Sequence, residues 1–205
     1  MAKLQKIDTH THCVPPFWVE EVKKAGKGPI IAYDEEEHLK VMKRCNISKS
    51  ILSISSPGTH LYPGAGNDEA AQKLARRCNE YLAKIKRRRP EKFGFFATLP
   101  LPYIQGSLEE IAYALDELNA DGFCVLSNHH GIYIGNAIYE PIWAELSRRK
   151  AKVFMHPTIP CMQVGEKLIN ALLQDFPLRS SSSSSKKFEW YLAYSPLEQS
   201  QSIPT

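Results

Sequence analysis

Apolar residues along this chain fall into five short runs, divided by longer segments in which they return every three or four positions. The runs are LQKIDTHTH (4–12), KSILSIS (49–55), FGFFATLPL (93–101), DGFCVLSN (121–128) and AKVFMHP (151–157). Their β-branched and aromatic content, with glycine or proline near their ends, predicts strands. The intervening periodicity predicts helices over 34–47, 67–89, 107–120 and 137–150. Asn67 or Asp68 is the expected N-cap of the second helix, Ser107 with Glu110 matches a capping box opening the third, and the fourth ends in a basic turn. Strands alternating with helices imply a parallel sheet with right-handed crossovers, and near-continuous apolar strands imply helices packed over it. A doubly wound sheet and a (β/α) barrel both satisfy this pattern.

The pattern fades towards the C-terminus. After VGEKLINALLQDFP (164–177) come LRSSSSSSKK (178–187), with six consecutive serines, and FEWYLAYSPLEQSQSIPT (188–205), which has no sustained period. The chain therefore divides into an α/β unit over 1–177 and a Ser-rich tail over 178–205, expected to be flexible or loosely docked. With 205 residues, 43% of them hydrophobic, one sizeable core is within reach. Most of the net charge of +4 sits in KIKRRRPEK (84–92), a predicted helix end where cations suit the macrodipole and are read as solvated. No aromatic residue interleaves with these arginines, so nucleic acid is not an expected partner. The start, MAKLQKID, lacks an apolar signal region, and no stretch approaches the ~18 apolar residues of a membrane span. Cys13, Cys45, Cys78, Cys124 and Cys161 are scattered without a C-x-x-C, which argues against a disulfide framework or a cysteine zinc site and makes the cytosol the expected location.

The chemistry concentrates at strand ends. In KIDTHTHCVPP (6–16), Asp8, His10 and His12 alternate, so an extended backbone points all three to one side. Pro15 and Pro16 cannot continue a ladder, which puts His12 near the strand's C-terminal end, where parallel α/β folds bind ligands. Two imidazoles about 7 Å apart along a strand can converge on one metal ion. His156, in VFMHPT, closes the fifth run and is again followed by proline, so a third imidazole arrives at the same mouth. Three histidines suit zinc, with manganese or iron if carboxylate and water complete the shell. Asn128, His129 and His130 after the fourth run, and Ser56 and His60 after the second, are lesser candidates on that face. His38, on a charged helix, is expected at the surface, and Trp143 belongs with Ile138, Ile142 and Leu146 in the core. Trp18 is a lesser candidate for the cleft wall.

The H-x-H closing the first run, with a further His closing a later one, resembles the amidohydrolase superfamily. Residues 97–158 resemble its decarboxylase branch, which includes aminocarboxymuconate semialdehyde, γ-resorcylate and fungal 6-methylsalicylate decarboxylases. The residues that carry this are LPLP, ALDELNADGF, SNHHGIYIGNAIYEPIWAEL and VFMHPT. The likeness covers roughly 4–177 and implies an α/β fold, part of a (β/α)8 TIM-type barrel with about five of eight βα units. It implies His10, His12 and His156 as metal ligands; Asn128 and His129, by their place in the loop after the fourth run, are the expected substrate contacts. Family members add a catalytic His after the sixth strand and a metal-binding Asp after the eighth, and no position here matches either. Since a full barrel typically needs about 250 residues, the chain is expected to be a truncated member.

The implied activity is metal-dependent decarboxylation of a small aromatic or unsaturated carboxylic acid such as 6-methylsalicylate, in secondary metabolism. Zinc is the expected cofactor, with manganese the second choice, and a homodimer is the expected assembly. The same ligands would equally serve a hydrolase of amides or lactones, and an inactive half-barrel is the third reading.

Overall fold

The structure, a computed structural model, describes residues 6–27, 30–159, 161, 163–164 and 167–168. The five predicted strands are all formed: β1 (Lys6–His12), β2 (Ile47–Ser53), β3 (Phe93–Thr98), β4 (Gly122–Leu126) and, after a small hairpin of β5 (Asn128–His129) and β6 (Ile132–Tyr133), β7 (Val153–His156). They make one parallel sheet in the order β1-β2-β3-β4-β7. A separate hairpin pairs β8 (Gln163–Val164) with β9 (Lys167–Leu168). The Ser-rich tail over 178–205 lies outside the described residues.

The sheet curls. Four strand spacings in a flat sheet would hold β1 and β7 about 19 Å apart, yet rings at their C-terminal ends touch. The result is a five-stranded half-barrel with helices on its outer side. Alternation along each strand sorts the side chains. Leu52, Phe95, Phe123 and Val153 face the helices and join Leu74, Leu82, Ile111, Ile142 and Leu146 in the main core. Their neighbours Ile51, Phe96, Cys124 and Phe154 form a second cluster on the inner face.

Four helices match the periodicity: α2 (Glu35–Cys45), α3 (Asp68–Arg88), α4 (Ile104–Asp116) and α5 (Glu140–Arg148), the last preceded by a 3-10 turn at Ala137–Tyr139. A further helix, α1 (Pro16–Lys24), is not expected from the sequence reading. Pro16 ends the β ladder but also occupies the first helical turn, where its missing N–H is no loss. Consequently Trp18 is a fully buried core residue, its indole N–H donating to the Gly58 carbonyl at 2.8 Å, and not part of a cleft wall.

Three local expectations are corrected. Asn67 precedes α3 but its side chain makes no cap; its Nδ2 donates instead to the Pro63 carbonyl. The Ser107–Glu110 box does not open α4, which begins three residues earlier. Both residues are fully buried, and Glu110 accepts from Arg76 Nε and Asn79 Nδ2, each at 2.8 Å. His38 is half-buried, its ring bonded to Tyr33 Oη and Ser50 Oγ and lying against Phe93. The basic end of α3 is also more engaged than a solvated end. Arg88 and Arg89 pair with Glu35 at the start of α2, and Lys86 reaches Asp121 and the Asn119 carbonyl. Trp143 packs partly buried against the core as expected, whereas Ile138 is 46% exposed. No helix among the described residues is long and apolar enough to cross a membrane.

Candidate metal centre

His10 and His12 project from the end of β1, and His156 from the end of β7, the two outer strands of the sheet. Register carries the alignment across: His12 pairs with Ser53, and Leu126 with His156. The curl then brings the rings together. Ring centroids are 5.2 Å apart for His10–His12, 5.0 Å for His10–His156 and 4.7 Å for His12–His156. One ligating nitrogen from each lies within 4.8 Å of the others. Asp8 stands apart from the cluster. Its carboxylate accepts from the His10 N–H at 3.0 Å and from Thr11 Oγ1 at 2.6 Å, at a register shift in β1 between Asp8 and Thr11.

The donor set suits a divalent cation. The His156 Nδ1–H donates to the Pro157 carbonyl, which leaves the Nε2 lone pair pointing at His12. His12 Nε2 lies 3.0 Å from that atom, and His12 Nδ1 is buried with no hydrogen-bond partner. In this arrangement one of two facing imidazoles must turn a proton towards the other, leaving a buried acceptor orphaned. A cation between the Nε2 atoms removes the conflict. Burial pushes the His12 pKa down to about 4, with the nearby His156 and His10 adding to the drop. The Ser53 carbonyl opposes it, although no hydrogen bond of normal geometry reaches Nδ1. Burial likewise lowers His156, partly offset by the Pro157 bond. Both rings are therefore neutral near pH 7, the state that ligates metal.

The lesser candidates gather beside this cluster. Ser56, His60, Asn128, His129 and His130 line one cavity of about 440 Å³, with Leu126 and Ile159 among its apolar walls. Asn128 is buried and its Nδ2 donates to the Ile159 carbonyl at 3.0 Å, so it holds the loop after β7. His129 is half-buried as a residue, but its Nε2 is closed off from solvent without a partner. Burial, then His130 and His60, push its pKa down to about 3. Ser56 Oγ lies 2.7 Å from Thr158 Oγ1, tying the loops after β2 and β7. Lys27, Thr158 and Asp68 also join this region, and sequence reading assigns none of them to the site. Asp68 lies eight positions from His60, and only the folded loop reveals that it bonds the ring.

A curled parallel sheet with an imidazole cluster at its C-terminal mouth defines a barrel-type α/β protein with a metal-ligand arrangement. A family model described as Amidohydrolase matches residues 7–180, and the chain belongs to that family. Among curated proteins it is 40% identical to a 6-methylsalicylic acid decarboxylase of Aspergillus aculeatus, over 76% of this chain and 48% of that protein. It is 37% identical to a 6-methylsalicylic acid decarboxylase of Penicillium expansum, over 83% and 53%. Among solved structures, an amidohydrolase II superposes with a TM-score of 0.73 at 31% identity, covering 82% of this chain and 55% of that one. A 2,6-dihydroxybenzoate decarboxylase complexed with 2,6-dihydroxybenzoate gives 0.67 at 25%, covering 77% and 52%. The chain thus spans about half the length of the relatives it matches.

Proposed function

We propose that this chain carries the three-histidine metal site of a decarboxylase that acts on a small aromatic carboxylic acid such as 6-methylsalicylate. The observation that carries the reading is the meeting of His10, His12 and His156 from opposite edges of the sheet. The similarity to decarboxylases of hydroxylated aromatic acids supports the choice of carboxy-lyase over hydrolase. His10, His12 and His156 would hold the cation through neutral imidazoles, with zinc the leading choice and manganese the second. Solved relatives of the same fold were crystallised with manganese. Once bound, it would supply a Lewis acid for the substrate's carboxylate or a neighbouring hydroxyl.

The chain's own residues account for the rest. The mouth cavity beside the cluster is of a size to take a single aromatic ring, with Leu126 and Ile159 among its apolar walls. Asn128 fixes the loop that closes one side, and His129 and His130 place imidazoles along it. Overall, a ring carbon–carboxylate bond breaks, carbon dioxide leaves, and a proton takes its place on the ring. The test is carbon dioxide release from 6-methylsalicylate and 2,6-dihydroxybenzoate by metal-loaded protein, expected to stop with chelator and return with zinc or manganese. Inertness towards both acids in the loaded protein overturns the reading.

A further inference from the structure

A second histidine cluster sits on the wall of the mouth cavity. His60, 4% exposed, directs Nε2 at Asp68 Oδ1 (2.9 Å) and Nδ1 at His130 Nε2 (3.0 Å). The protonation pattern follows from the donor inventory. A carboxylate only accepts, so His60 carries a proton on Nε2, and in the neutral ring its Nδ1 is a lone pair. That lone pair can be satisfied only by a donor, which makes His130 Nε2 the protonated nitrogen. The remaining His130 nitrogen, Nδ1, is then an acceptor, on an exposed residue that lines the cavity. Burial lowers the His130 pKa, His60 and Lys27 push the same way, and the His60 backbone only partly opposes them. The ring is therefore neutral near pH 7.

The backbone is shaped for this placement. His130 and Gly131 form the two-residue turn between β5 and β6, both with positive φ (49° and 87°). Such a turn favours Asn-Gly, and a histidine there holds a left-handed conformation that few side chains adopt.

We propose that Asp68, His60 and His130 form a hydrogen-bonded relay that presents the His130 Nδ1 lone pair to the cavity as the acceptor for a ligand hydroxyl, so the site selects hydroxylated aromatic acids over unsubstituted ones. The proposal rests on the aromatic-acid reading above and names the residue that would read the hydroxyl. Asp68 and His60 act here as positioning residues.

The experiment uses the full chain, with histidine ring nitrogens labelled for NMR and with benzoate, 2-hydroxybenzoate and 3-hydroxybenzoate titrated by calorimetry. In wild type, His60 and His130 are both expected as Nε2–H tautomers. The better hydroxybenzoate is expected to bind about fivefold tighter than benzoate, the worth of one net hydrogen bond. His60→Leu is expected to bring that ratio near one. His60→Asn, whose Oδ1 can take the place of Nδ1 as acceptor for His130, is expected to keep part of the ratio. Asp68→Asn, the second variant should His60→Leu fail to fold, is expected to lower it by about half. A His130 proton found on Nδ1, or a ratio unchanged in His60→Leu, overturns the relay. Equal binding of all three acids in wild type overturns the relay alone. Binding of none overturns the aromatic-acid reading and the ligand assignment with it.

Discussion

His12 and His156 are separated by 144 positions and by the full width of the sheet, yet their Nε2 atoms lie 3.0 Å apart. Neither ring is placed by its own loop. Each is fixed by a strand whose register is set by its neighbours, so the contact depends on every strand pairing between them.

In the proposed site the three rings share one cation, which would make each of them indispensable. His156→Ala should lower the affinity for zinc by more than the roughly 10–100-fold that loss of an outer partner costs. Competition against a chromophoric chelator measures this. Asp8→Asn, whose oxygens bond β1 rather than face the cluster, should change the affinity far less.

Acid should loosen the fold through His129. Its folded pKa lies below the ordinary histidine value, so the unfolded chain binds the extra proton first. The stability held by the neutral ring is complete above about pH 6.5 and is lost progressively as pH falls towards 3. Urea unfolding at pH 7 and pH 5 should show His129→Gln losing less stability over that interval than wild type, by on the order of 1–2 kcal/mol.

Glu110 is fully buried and bonded by Arg76 and Asn79, which also brackets Thr98 at the end of β3. Burial raises its pKa while these partners pull it back. Glu110→Ala strips both donors of their acceptor and should cost about 3 kcal/mol. Glu110→Gln, which keeps an oxygen for Asn79, should cost less. Denaturant midpoints at constant slope distinguish the two.

Trp18→Ala should cost about 3–5 kcal/mol, because it opens a cavity under α1 and frees the Gly58 carbonyl that fixes the loop after β2. Trp18→Phe, which loses the hydrogen bond but keeps most of the packing, should cost less. Thermal unfolding of the two variants checks the order.

The strand runs are legible because strands covered on one side by helices and filled on the other read as unbroken apolar stretches. Phe93–Thr98 and Gly122–Leu126 are buried throughout. The imidazoles are legible for a related reason: His12 ends the first run three residues before Pro15 with His10 on the same face, and His156 is followed directly by Pro157. What the pattern lacks is curvature. Period-two alternation is the same in a flat sheet and a curled one, and only the meeting of β1 with β7 decides between them. Helix α1 is hidden because Pro15-Pro16 announces the end of a strand as loudly as the start of a helix. The Ser107–Glu110 box misleads because a local capping match competes with Arg76 and Asn79, which arrive from α3 and draw Glu110 inward. Asp68 escapes notice as a partner of His60 since it reads as an ordinary first-turn acid.

Because the cluster bridges the first and last strands of the sheet, an ion seated there would act as a clasp across the whole half-barrel. Its grip would be felt as global stability: roughly 2.7 kcal/mol when the free ion stands at a hundred times its dissociation constant. The melting temperature should then climb with ion concentration, and a single fray at β1 or β7 should release the ion along with the strand.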